Sequence, residues 1–186
     1  MTILRYAPLL FILCASPAAA HVGHGEATSL GAGLTHPWTG TDHLLAMAAV
    51  GLWAALAGGP ARWTLPTAFL GAMLAGFGLA VAGVDLPLVE PMILASVIAL
   101  GVLIALTVRL PLAFGAMLVA LFGLCHGHAH GTESPESGLL LYAVGFTLST
   151  AVIHVLGLAL GRALIGGLGP KLVAELARRR LRPALR

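Results

Sequence analysis

What most constrains this chain is a succession of five apolar stretches, at about 37–58, 63–83, 87–108, 110–125 and 138–160, almost free of charge. A helix of about twenty residues, rising ~1.5 Å each, covers the ~30 Å hydrocarbon core of a bilayer. Inside lipid every backbone N–H and C=O must be satisfied without water, and a helix does this within its own segment. The expected fold is therefore all-α, a polytopic membrane helix bundle with about five transmembrane helices. Composition agrees, since 59% of residues are hydrophobic and only 9% charged, against about 25% charged in soluble domains. Too few polar residues remain for a separate soluble catalytic domain or a nucleic-acid module. The formal charge of +3 comes from basic residues gathered at one end, which membrane orientation explains, so no nucleic acid is expected as a partner.

Residues 1–20 carry Arg5, a short apolar run and then Ala18-Ala19-Ala20, the pattern of a secretory signal peptide cleaved before His21. The run is too short for a comfortable span, which disfavours an uncleaved first helix. Cleavage removes Cys14 and leaves Cys125 alone, so no intramolecular disulfide is expected and Cys125 reads as a small buried apolar residue. The expected organisation is a signal peptide at 1–20, a periplasmic segment at 21–35, the bundle at 36–162 and a basic cytoplasmic tail at 163–186. With the mature N-terminus outside, Arg62, Arg109 and the tail's Arg162, Lys171, Arg178, Arg179, Arg180, Arg182 and Arg186 all fall inside, as the positive-inside rule requires of a bacterial inner-membrane protein. Glu26, Asp85, Glu90, Glu133 and Glu136 fall on or near the other side. Gly166, Gly167, Gly169 and Pro170 interrupt the pattern after 160, and the charges beyond predict a short interfacial helix on anionic lipid rather than a sixth span. Pro37 and Pro91 suit helix first turns. Ala72, Gly76 and Ala80, and Gly157 and Gly161, recur at helical spacing and let helices approach closely.

Eight histidines stand out in so apolar a chain. His21 and His24 open the mature chain, either as a chelating terminus or as a solvated tail. His36 and His43 flank the start of the first stretch, with Asp42 beside the second of them. In an unbroken helix they would be about 10.5 Å apart along the axis, whereas donors to one ion, each ~2.1 Å from it, lie within about 4 Å of one another. Either Gly40 permits an unwound turn, as transporters allow where backbone lines a cavity, or the two mark successive stations. Met47, one turn beyond His43, reads as packing. His126, His128, His130 and Glu133 follow the fourth stretch, which is short and draws them to the membrane edge. If helical, His126 and His130 share a face; if extended, all three imidazoles do. Imidazole with carboxylate suits Ni²⁺, Co²⁺, Zn²⁺ or Cu²⁺. His154, deep in the fifth stretch, is either a station on an ion path or a histidine satisfied by another helix. Glu90, before Pro91, either closes the outer site or is an interfacial carboxylate at a helix N-terminus.

The pattern His36-x5-Asp42-His43 followed by Leu44-Leu45-Ala46-Met47, the stretch Val89-Glu90-Pro91-Met92-Ile93 and the run His126-Gly127-x-Ala129-x-Gly131-x-Glu133 resemble the HupE/UreJ family, over the signal peptide and all five spans. That family is associated with nickel uptake for hydrogenase and urease. The resemblance implies a permease for a divalent metal, with His36, Asp42, His43, His126 and Glu133 as motif positions. His128 and His130 add imidazoles beyond that pattern, and the tail lacks an apolar final helix.

The leading expectation is a secondary permease carrying Ni²⁺, or Co²⁺ or Zn²⁺, inward along one path between the first and fourth helices, which should then be neighbours. No permanently bound cofactor is expected; the partners are the ion, the bilayer and a metallochaperone or the urease or hydrogenase maturation proteins. No nucleotide-binding motif is present, so energy must come from the membrane potential, worth ~2.3 kcal/mol per elementary charge per 100 mV, from protons or from a separate subunit. An intramembrane metal-dependent hydrolase lacks the usual His-Glu-x-x-His helix, so no enzyme is expected. The remaining class is a membrane metal-binding accessory or sensor that does not itself transport.

Overall fold

A computed structural model describes the backbone of residues 29–181 and the side chains of 29–167. The expected signal peptide, its cleavage site, His21 and His24 lie outside the described residues. Among the described residues all regular structure is helical: α1 Ser29–Thr39, α2 Thr41–Ala57, α3 Ala61–Val81, α4 Val89–Ala105, α5 Leu112–Thr132 and α6 Leu139–Leu181. The helices α3, α5 and the Leu139–Gly167 part of α6 are each long and apolar enough to cross a bilayer. Together α1 and α2 meet the same test as one span bent by 80° at a break, and α4 is apolar but only 17 residues long. Large apolar side chains such as Leu74, Val102, Phe114, Met117, Leu148 and Val152 are exposed. Such an outward apolar surface is what a multi-pass membrane protein turns to lipid.

Two helix boundaries differ from the sequence expectation. A helix covers Ser29–Thr39, part of which was expected to be a periplasmic lead-in, and Pro37 lies in the last turn of α1 rather than the first turn of a span. Gly40, extended at φ −86° and ψ 112°, separates α1 from α2, and the Thr39 hydroxyl donates to His36 O at 2.8 Å as the helix ends. At the other end α6 runs on to Leu181 through Gly166, Gly167, Gly169 and Pro170, where a separate interfacial helix was expected. An interior glycine costs a helix about 1 kcal/mol and a proline about 3 kcal/mol relative to alanine, and the helix absorbs those costs here. Pro91 does fall in the first turn of α4, and α5 takes in the whole histidine run.

Small residues draw the helices into close pairs. On α3 and α5, Gly76 lies against Leu124 O, Gly123 against Phe69 O and Gly127 against Met73 O, positions where a methyl group would collide with the facing backbone. Gly51 and Gly157 play the same part between α2 and α6, and Gly33 and Gly145 between α1 and α6. The α4 helix packs on α2 and α5. Trp53, Phe69, Met47, Met73, Phe146, Leu65, Leu100 and Ile153 fill the space enclosed, and the Trp53 indole donates to Val108 O at 3.1 Å. Instead of packing along each other, α2 and α5 meet through side chains. His43 faces His126 at one end, and the Trp53 ring lies beside Gly115 toward the other.

Candidate metal site

The break at Gly40 resolves the geometric conflict in the His36 to His43 segment. Because α1 and α2 meet at 80°, His36 folds back over the start of α2, and its ring centroid is 6.1 Å from that of His43. The α5 helix supplies His126 and His130 from one face, four residues apart. The His130 ring lies 4.8 Å from His36 and 5.0 Å from His43, and the His126 ring 4.7 Å from His43. One ligand nitrogen from each of His36, His43 and His130 lies within 4.8 Å of the other two. A closure of less than about 1 Å brings these three to the spacing of donors around one ion.

The two carboxylates orient the imidazoles. Asp42 Oδ1 accepts from the His43 backbone N–H at 2.8 Å and from His43 Nδ1 at 3.1 Å. That bond fixes the tautomer with a bare Nε2, which is buried and has no protein partner among the described residues. Glu133 Oε2, just past the end of α5, accepts from His36 Nε2 at 3.0 Å. This hydrogen bond to His36 holds the Glu133 carboxyl below its ordinary pKa, against the opposing effect of burial. Carboxylates bonded to the far nitrogen of a metal-ligating histidine are the usual second layer of such sites.

His126 is fully buried and held from behind. The Ser96 hydroxyl donates its one hydrogen to Ile93 O at 2.6 Å, so in its 3.1 Å contact with His126 Nε2 it accepts, and His126 keeps a bare Nδ1. His130 is stacked on Phe146 at 4.7 Å and 10°. Neither of its ring nitrogens has a protein partner among the described residues. A buried polar group left unpaired costs about 1–3 kcal/mol, so a ligand or an ordered water on these open nitrogens would be stabilising.

The family model described as HupE / UreJ protein matches residues 9–176. The chain is also similar to Protein HupE of Rhizobium leguminosarum bv. viciae, 44% identical over 164 residues, which cover 87% of this chain and 84% of that protein. The chain belongs to the HupE/UreJ family. No solved structure matches it.

Of the residues singled out from the HupE/UreJ resemblance and from their spacing, the structure brings together His36, Asp42, His43, His126, His130 and Glu133. It does not bring His128 to them. On a helix that residue leaves the face shared by His126 and His130, and its Nε2 lies 2.9 Å from Val84 O and 3.3 Å from Leu86 N in the α3–α4 loop. Glu90 is exposed in the first turn of α4 and does not join the cluster. His154 sits deeper in the bundle, 2% exposed, edge-on to Phe69 at 5.2 Å; the same Phe69 ring lies 5.4 Å from His126. Met47 and Cys125 are buried core residues, as expected. Two contributors escaped the sequence reading. Ser96 carries the signal of a lone hydroxyl in the middle of an apolar helix. Tyr142 is a buried tyrosine 6.0 Å from the His36 ring, and its hydroxyl has no protein partner among the described residues.

Proposed function

We propose that this HupE/UreJ-family protein is a secondary permease that carries a divalent transition metal, Ni²⁺ with Co²⁺ as the close alternative, into the cell. The observation that carries the reading is the break at Gly40, which bends a membrane-crossing helix pair by 80° and turns His36 back to meet His43 and His130. Unwound backbone within a span is tolerated where it lines a site, and broken helices of this kind are how transporters build their ion sites. The charge balance supports a dication. Three neutral imidazoles add no charge, and Asp42 and Glu133 supply two negative charges that offset the cost of bringing a dication into a low-dielectric site. The imidazole donors favour Ni²⁺, Co²⁺, Zn²⁺ or Cu²⁺ over Mg²⁺ or Ca²⁺, and the family association favours nickel for hydrogenase or urease.

In this reading the histidine end faces outward and the arginine-rich C-terminus lies in the cytoplasm of a bacterium, with the protein in the inner membrane. The broken α1–α2 pair, α3, the short α4, α5 and α6 make five passes, following removal of residues 1–20. The ion is cargo rather than a resident cofactor, and the chain is not an enzyme. Maturation proteins of hydrogenase or urease, or a metallochaperone, receive the ion inside. Purified protein alone in liposomes tests this directly. Accumulation of radioactive Ni²⁺ that disappears in His43→Ala is the expected result. Tight binding without accumulation would instead make the protein a metal-capturing accessory.

A further inference from the structure

Deeper than the histidine cluster lies a second group of buried donor side chains that the site above does not use. Met47 on α2 and Met73 on α3 are both fully buried, and their sulfurs lie 3.3 Å and 3.8 Å from the Thr150 hydroxyl on α6. Thioether sulfur is a weak acceptor, and a helical threonine has a better one at hand in the carbonyl four residues back. Thr35 and Thr67 in this protein use it, at 3.0 Å and 2.7 Å. Thr150 instead reaches across the bundle to the two sulfurs. One turn further along the same helix is His154, 2% exposed, with both ring nitrogens lacking a protein partner among the described residues. A buried imidazole unpaired on both sides is an opening for a ligand.

The position of this group fits a path. Met47 lies one turn beyond His43 on α2, and the Phe69 ring lies close to both His126 and His154. We infer that Met47, Met73, Thr150 and His154 form a second, deeper station for a late first-row divalent cation, on the path proposed for the histidine cluster. The inference rests on that transport reading. Two soft thioethers and a borderline imidazole outweigh the single hard hydroxyl, so the set favours late first-row cations over Mg²⁺, Ca²⁺ and Mn²⁺. Asp42, Asp85, Glu90, Glu133 and Glu136, the acidic residues of 29–167, lie in the α2, α4 and loop positions at the histidine end. The deeper station therefore offers only neutral donors, which hold a dication less firmly than the carboxylate-backed cluster does, as release toward the far side requires. The upper cluster captures, and the lower group selects and passes on.

Nickel X-ray absorption with equilibrium dialysis on the purified full chain tests this. The proteins are the parent, His43→Ala and the double variant Met47→Leu with Met73→Leu, a near-isosteric exchange that cores tolerate. The expected result is two Ni²⁺ bound by the parent, with sulfur neighbours appearing only on addition of the second equivalent. The double variant should bind one ion with nitrogen and oxygen neighbours alone, at unchanged affinity, and lose uptake. A parent that binds one ion without sulfur, abolished by His43→Ala, would overturn the deeper station and leave the upper site standing. A second ion bound without sulfur neighbours would also overturn it. A parent that binds no Ni²⁺ would overturn both readings.

Discussion

Replacing Asp42 by Asn keeps the size of the side chain and much of its hydrogen bonding but removes one of the two negative charges set against the ion. The effect can be sized from the geometry. Asp42 Oδ1 is 3.1 Å from His43 Nδ1, and crossing the ring and a ligand bond of ~2.1 Å puts the ion roughly 7 Å from the carboxylate. At an effective dielectric of ~20, a dication and a unit charge at that distance attract by about 5 kcal/mol. The Asp42 side chain is 19% exposed, and solvent screening reduces the figure to roughly 2–3 kcal/mol. That corresponds to a loss of about 30- to 150-fold in Ni²⁺ affinity. Calorimetric titration of parent and Asp42→Asn in detergent measures it, and cells expressing equal membrane amounts under metal limitation should show uptake nearly gone. An affinity within about twofold of the parent would refute the electrostatic role assigned to this carboxylate.

Ser96→Ala removes the acceptor that fixes His126, so nitrogen NMR of labelled histidine should show a mixed tautomer at that residue. Ser96→Thr, which keeps the hydroxyl, should restore the single tautomer. His128→Ala should leave Ni²⁺ affinity within about twofold of the parent and lower stability by ~1 kcal/mol, since its partners are the Val84 and Leu86 backbone; a large loss of binding in calorimetric titration would return it to the ligand set. Glu133 has a lowered pKa through its bond to His36, so its contribution to stability is present above the ordinary value of 4.5 and is lost as pH falls through the lowered one. In thermal melts Glu133→Gln should accordingly trail the parent at neutral pH and converge with it in strong acid.

The residues that the fold gathers into the candidate site were largely legible, and their arrangement less so. His36 and His43 could share an ion only if the helix broke, and the sequence left that open against successive stations; the broken form is the one observed. The run from His126 to Glu133 was ambiguous between helix and strand spacing because glycine and alanine between the histidines commit to neither. Continuation of α5 through Thr132 decides it and necessarily turns His128 away. Most of the α1 segment falls within the expected periplasmic lead-in, with Pro37 expected at a helix start; its contacts with α6, through Gly33 and Gly145, lie 112 positions apart in the chain and leave no local trace. Ser96 showed only as a lone hydroxyl in an apolar helix, since its meaning comes from His126 on another helix.

The central claim is that one ion is shared by imidazoles from both halves of the broken helix and from α5. An anomalous difference map at the nickel edge, from crystals of the full protein soaked with Ni²⁺, tests it most directly. The map should show a peak ligated by His36, His43 and His130, with Asp42 and Glu133 still bonded to the far nitrogens of His43 and His36. A peak on His128 or Glu90 with His36 and His43 apart, or an intact α1–α2 helix through Gly40, would contradict it.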